Sequence, residues 1–194
     1  MNKKLFWMSA ISYFILMVAD EIVTFIGTPD LMLESNPLIT QLGLGWEAML
    51  IANIICYLLF IFVINYGLVR YKSPVLNVED YGQYYSMLYF NNATSINKFF
   101  RLPKNWKPIF ACVSFTIAIT LPLGRIIVVL EWLLYLLNFN FEFIGEFGYK
   151  AVILLLSTLI CISYWPRKQF KDNLIYKSSA SCVGTSLSPS GLPV

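Results

Sequence analysis

Four long apolar blocks constrain what this sequence can fold into more than any other feature. They run over residues 5–27, 47–69, 109–137 and 148–166. A helix crosses about 30 Å of hydrocarbon with roughly 20 apolar residues, and unbroken apolar runs without two-residue alternation favour helices over strands. Only 13% of the residues are charged, against about 25% in a soluble domain. The sequence therefore predicts an all-α polytopic membrane protein built as a bundle of four transmembrane helices.

The positions of the basic residues predict how this bundle is oriented. All Lys and Arg residues except Arg125 and Lys150 lie in three segments: 1–4, 70–108 and 167–194. The other two connections, 28–46 and 138–147, contain acidic residues and no basic residue. Because cytoplasmic loops are rich in Lys and Arg, we expect both termini in the cytoplasm. The expected location is a cell membrane, in the first place the cytoplasmic membrane of a prokaryote, with the lipid bilayer as partner.

A cleaved signal peptide is the alternative interpretation of the first block. Lys3 and Lys4 precede an apolar run that ends at Ala19, which is the outline of such a peptide. Against cleavage, the bulky Met17 occupies a position where a small residue is needed, and apolar character resumes at Ile22. The retained first span is therefore favoured, and cleavage stays open.

The cytoplasmic segment 70–108 is too aromatic for a simple connection. Its aromatic and aliphatic residues recur at helical spacing: Tyr81, Tyr84, Tyr85, Leu88 and Tyr89. This pattern predicts an interfacial helical segment in the lipid headgroup region, and a helix packed under the bundle as a lid fits equally well. The Ser-rich end of the chain, from about residue 178, is predicted to be disordered.

Four ionisable residues lie in or near the apolar blocks: Asp20, Glu21, Arg125 and Glu131. A charged side chain inside a span either pairs with an opposite charge or belongs to a functional site. A charge at the centre of a span costs at least about 2.5–3.5 kcal/mol on insertion scales. Counting 1.5 Å per residue places Asp20 about 22 Å above residue 5 and Arg125 about 24 Å above residue 109. We therefore predict that Asp20 pairs with Arg125 in the outer half of the bundle, with Glu21 or Glu131 as a second acceptor. Whether such a pair is structural or functional stays open.

The first outer connection adds further polar groups. It contains Glu34, followed by Ser35, Asn36 and Pro37, and later by two glycines. Ser35 or Asn36 can cap a short helix in which Pro37 takes an early position. Gly43 and Gly45 would end that helix before the second span. We expect Glu34 and Asn36 to face the bundle or to lie above it.

A known family shares this pattern. Asp20-x3-Thr24, then Glu34-x-Asn36-Pro37, then a glycine before the second span, resembles the small bacterial and archaeal integral membrane proteins grouped as DUF5658. The resemblance covers the first third of the chain, and a lysine common in that family's second helix is absent here, where Asn53 stands. The family has no activity that could be carried over to this chain. The resemblance implies only that Asp20, Thr24, Glu34, Asn36 and Pro37 act as a unit.

Three classes of function follow, and no catalytic residue is assigned. The chain has no histidine, which removes the usual general base and a common metal ligand. The favoured hypothesis is a non-enzymatic bundle, either an assembly or accessory subunit or a protein that binds a small ligand in its outer half. The second is a transporter or channel component that uses the same polar residues, and the third is an intramembrane enzyme that uses carboxylates. We expect no cofactor, metal or nucleic acid, and a homo-oligomer or larger membrane complex as partner.

Overall fold

The computed structural model describes residues 3–32, 42–91, 103–137 and 148–184, and all regular structure within these ranges is helical. The helices are α1 (Lys3–Gly27), α2 (Trp46–Asn65), α3 (Tyr81–Phe90), α4 (Lys107–Leu136) and α5 (Gly148–Gly184). A π-helical turn, Tyr66–Arg70, extends α2. The prediction of an all-α chain with four helices long and apolar enough to span a membrane is thereby confirmed. We call the end of the bundle formed by Gly27, Trp46, Leu136 and Gly148 the outer end, and the opposite end the inner end.

Helices α1, α2 and α4 pack against one another, and α5 packs against α4. One stripe of α1 is buried at helical spacing: Ser9, Ala10, Tyr13, Met17, Asp20, Val23 and Thr24. Within the described ranges α5 packs against α3 and α4 and makes no such contact with α1 or α2. The bundle is therefore a cluster of three helices with a fourth attached to one side.

The apolar core lies at the inner end. It is formed by side chains from all five helices and the inner connection, including Ala10, Ile64, Val78, Tyr84, Leu88, Ala111, Phe115 and Trp165. Helices α2 and α4 approach closely there. A side chain at Gly67 would collide with Ser114 and come within 2.9 Å of the Ala111 carbonyl oxygen. Only a glycine fits this crossing without a shift of one helix.

Helix α3 is part of this core. Asp80 caps its first turn by accepting a hydrogen bond from the Gln83 backbone N–H at 2.9 Å. It ends at Asn91, which has a left-handed backbone (φ 53°). Because Tyr84 and Leu88 are fully buried, the structure favours the lid interpretation of this helix. The residues that follow, 92–102, lie outside the described part of the chain.

The predicted start of the disordered tail is wrong, because α5 is helical through Gly184. Pro166 lies within the helix without ending it. Residues 167–177 contain neither Gly nor Pro, and two of them attach the helix to the inner core. The Phe170 ring packs against Tyr84, and the Asn173 side chain donates to the Leu76 carbonyl and accepts from the Leu76 N–H. Tertiary contacts thus extend the helix past the end of the apolar block.

Candidate polar site near the outer end

Four polar side chains near the outer end form one continuous chain of contacts. Arg125 of α4 forms a salt bridge with Asp20 of α1 through Nη1. Its Nη2 donates to Asn53 Oδ1 of α2 at 2.6 Å. The Nδ2 of Asn53 in turn donates to Glu21 Oε1 of α1. We call these residues, Asp20, Glu21, Asn53 and Arg125, the polar network, and it joins three helices.

The helix geometry explains why these residues meet. Asp20 lies seven residues before the end of α1, and Asn53 lies seven residues after the start of α2. Since consecutive residues rise by 1.5 Å, both lie about 10 Å below the outer end of their helices. Arg125 follows Pro122 and Gly124 in α4, which continues as a helix through both. Asp20 and Asn53 therefore lie at one level of the bundle, and the side chain of Arg125 contacts both.

The surroundings of Arg125 are largely apolar and aromatic. The Tyr13 ring lies under its guanidinium, with the Cζ atom 5.8 Å from the ring centroid. Tyr13 is itself fixed by the Phe60 ring, at 4.5 Å between centroids. The side chains of Arg125 and Asp20 are only 21% and 12% exposed. Charges this far from water attract strongly and are costly to separate.

Glu131 takes part in a different pair. Its carboxylate lies 2.5 Å from Lys150 Nζ at the start of α5. The sequence predicts Glu21 or Glu131 as the second acceptor of Arg125, and the structure adds Asn53 Oδ1 as an acceptor. The role of Asn53 as an acceptor for Arg125 was not predicted, because only charged side chains were considered as partners of the arginine. One signal was present: Asn53 is the only amide or charged residue between Glu47 and Asn65.

Hydrogen bonds in the described part of the outer connection lie beside the ends of α1 and α2. Thr24 is buried on the same face of α1 as Asp20. Thr28 Oγ1 donates to Asp30 Oδ1 at 3.1 Å, and the Trp46 indole N–H donates to the Pro29 carbonyl at 2.8 Å. The second of these bonds joins the segment that follows α1 to the start of α2. Glu34, Asn36, Pro37 and the predicted short helix lie outside the described residues.

A cleft of about 240 Å³ opens beside Arg125. It is lined by one residue of α1, five of α4 and two of α5: Tyr13, Leu121, Gly124, Arg125, Ile127, Val128, Lys150 and Leu154. Most of this lining is apolar, and its two charged members are both cations. Lys150 was not among the predicted site residues, because its place at the start of the fourth block marked it as a boundary residue.

Two further findings concern the site. Across the described ranges, no three side chains among His, Cys, Asp and Glu are grouped so that they could hold a metal ion. The resemblance to DUF5658 stays a prediction from the motif. Comparison of the chain with protein-family models, with curated proteins and with solved structures gave no match.

Proposed function

We propose that this chain is an integral protein of a cell membrane with four spans and both termini in the cytoplasm. We further propose that it is a non-enzymatic bundle that binds a small ligand beside the polar network. The membrane location is supported by the outward faces of the long helices. On α2, for example, Ile54, Leu58 and Phe62 are 54%, 61% and 70% exposed. Continuous apolar surfaces of this kind suit lipid and would cause aggregation in water.

The orientation is supported by the separation of charge along the bundle. The inner end and its connections hold every Lys and Arg except Arg125 and Lys150. Asp30 and Glu47 lie at the outer end, and the sequence places Glu34, Glu142 and Glu146 in the outer connections. Because Lys and Arg mark the cytoplasmic side, the inner end faces the cytoplasm.

Labelling of single cysteines tests the spans and their orientation. In a chain whose native cysteines are replaced by Ser, Leu42→Cys at the outer end should react with a membrane-impermeant maleimide in intact cells. Lys72→Cys at the inner end should react only after permeabilisation. Resistance of the protein to alkaline carbonate extraction is the second measurement. The opposite labelling pattern would reverse the orientation, and extraction into the soluble fraction would rule out the spans.

One observation supports the ligand-binding role: Arg125, the central member of the polar network, lines the cleft. Buried charges in a membrane bundle are costly and mark binding or transport sites. Arg125 has five N–H donors in a planar fork, and its contacts with Asp20 and Asn53 use one donor each. It can therefore hold the bundle together and also bind an acceptor in the cleft.

Mass spectrometry of the protein in mild detergent tests this role. The wild-type chain should retain a small molecule that Arg125→Met loses, while Arg70→Met at the inner end retains it. A stoichiometric protein partner in place of a small molecule would support the assembly or accessory version of the hypothesis. A monomer with neither partner nor ligand would overturn both versions.

A transporter or channel component is the second candidate. The observation in its favour is that Gly124 lies beside Arg125 on the wall of the cleft and Pro122 lies just before them inside α4. Such residues allow helices to open in transport sites. Proton or ion flux into liposomes that Asp20→Ala abolishes would favour it over the binding protein. Four spans are few for a pathway, so flux should also require an oligomer.

A further inference from the structure

The cleft beside Arg125 has walls on three helices and an open side. Its back wall is α4, with Gly124, Ile127 and Val128. Tyr13 of α1 lies on one side, and Lys150 and Leu154 of α5 lie on the other. Since α1 and α5 do not pack against each other in the described ranges, the cleft opens between them. In the membrane location proposed above, this opening faces lipid.

The size of the cleft limits what can occupy it. At about 240 Å³ it is smaller than the roughly 300–1,000 Å³ of pockets that enclose a whole drug-sized molecule. A molecule that inserts one narrow apolar part and leaves the remainder in the bilayer fits this space. A lipid acyl chain has this shape.

The charges where the cleft comes nearest to the outer end of the bundle indicate which lipid headgroup fits. Lys150 and Glu131 lie there as a pair, with side chains 33% and 29% exposed. A headgroup that carries both a phosphate and an ammonium complements this pair, with its phosphate on Lys150 and its ammonium on Glu131. An anionic headgroup would complement Lys150 alone and meet repulsion from Glu131.

The deeper part of the cleft suits neutral acceptors. Arg125 lies six residues before Glu131, and hence about 9 Å further from the outer end. Asp20 already balances the charge of Arg125. The ester carbonyls of a glycerolipid lie below its phosphate, on the side of Arg125, and can accept from its remaining N–H donors.

We propose that the cleft binds one phospholipid with a zwitterionic aminoalcohol headgroup, such as phosphatidylethanolamine. Its acyl chain lies along α4 between Leu121 and Leu154, its phosphate contacts Lys150, and its ammonium contacts Glu131. This inference rests on the proposed membrane location and names the small ligand of the proposed function.

Competition between two phospholipids tests the headgroup assignment. The full-length protein in mild detergent is exposed to equal amounts of phosphatidylethanolamine and phosphatidylglycerol, and bound lipid is counted by native mass spectrometry. One phosphatidylethanolamine per chain should be retained in preference. Equal retention of both lipids, a preference for phosphatidylglycerol, or retention of neither would overturn the proposal.

Matched variants locate the bound lipid. Leu121→Trp fills the cleft from an exposed position on α4, while Leu130→Trp changes a similarly exposed leucine of the same helix outside the cleft. The first should lose the lipid and the second should keep it. Lys150→Gln should weaken retention about tenfold, because it removes a charged hydrogen bond to the phosphate. Equal retention by the two tryptophan variants, or no effect of Lys150→Gln, would contradict the site.

Failure of this proposal can be told apart from failure of the proposed function. If cysteine labelling shows four spans and the bound lipid is insensitive to Leu121→Trp, the cleft assignment alone is wrong. If labelling shows that the chain does not span the membrane, both proposals fall. A dimer that dissociates in Leu121→Trp would place a second copy of the chain at the cleft and would also overturn the lipid assignment.

Discussion

The two ends of the bundle are held together by different forces. At the inner end, rings and aliphatic side chains such as Tyr84, Leu88 and Trp165 are buried in one core. Near the outer end, a few charged and amide groups connect the helices through the polar network. Apolar packing adds many weak contacts and loses them gradually, whereas a buried ion pair depends on both partners at once. The same change in side-chain size should therefore have different consequences at the two ends.

The largest effect is expected from Arg125→Leu. It leaves the Asp20 carboxylate buried without its cation, which costs about 3–5 kcal/mol. Unfolding of the purified protein in detergent measures the loss. Asp20→Asn in the same chain should restore part of the stability, because the unbalanced charge is then removed. If the double variant is as unstable as the sum of the single variants, the two residues do not act as a pair. Lys150→Met, at the more exposed pair with Glu131, is the control and should cost about 0–1 kcal/mol.

Leu88→Ala should have the next largest effect, at the inner end. Leu88 is 1% exposed, and removal of a buried leucine side chain costs about 2–5 kcal/mol through lost apolar contacts and the cavity that remains. Leu88→Met should cost much less, since it nearly conserves volume. The same unfolding measurement applies. An equal loss for Ala and Met would show that this end is as intolerant as the polar network.

Gly67→Ala tests the close crossing of α2 and α4. The added methyl group meets Ser114 and the Ala111 carbonyl, so we expect a loss of about 1–3 kcal/mol from overpacking. Gly45→Ala is the matched control, because a side chain there meets nothing within 4 Å. A double variant, Gly67→Ala with Ser114→Gly, should recover stability if the collision is the cause.

Alkaline pH should weaken the inner end. Burial raises the pKa of Tyr71 to about 12 from its usual 10.0, and burial also raises the pKa of Tyr89. The folded chain therefore holds these phenol protons more tightly than the unfolded chain. Stability is at its full value below pH 10 and falls as the pH rises from about 10 towards 12. Unfolding across this pH range, followed with tyrosinate absorbance, measures the loss, and Tyr71→Phe should make it smaller. A loss of the same size in Tyr71→Phe would assign the alkaline transition to other groups.

The number of long helices and the level of their polar residues could be predicted from the sequence, because these follow from apolar runs and a fixed rise per residue. Asp20 and Arg125 could be placed at a common level in this way. The length of α5 could not be predicted, because tertiary contacts extend it past its apolar block to Gly184. Contact faces could not be predicted. A helix that is apolar on all sides has no stripe that marks its neighbour, so nothing in residues 148–166 indicated that α5 packs on α4 alone among the long helices. Asn53 was missed for a related reason: its role depends on which side of α2 faces Arg125.

The attachment of α5 to α4 has a consequence for the order of assembly during synthesis. All members of the polar network lie in residues 20–125, upstream of α5. The first three spans can therefore close the network while the fourth is still being synthesised, since chains fold from the N-terminus as they emerge. Until α5 arrives, Glu131 lacks Lys150 and the face of α4 that later forms the cleft is open to the surrounding lipid. A lipid already on that face would be enclosed by the last helix rather than admitted afterwards.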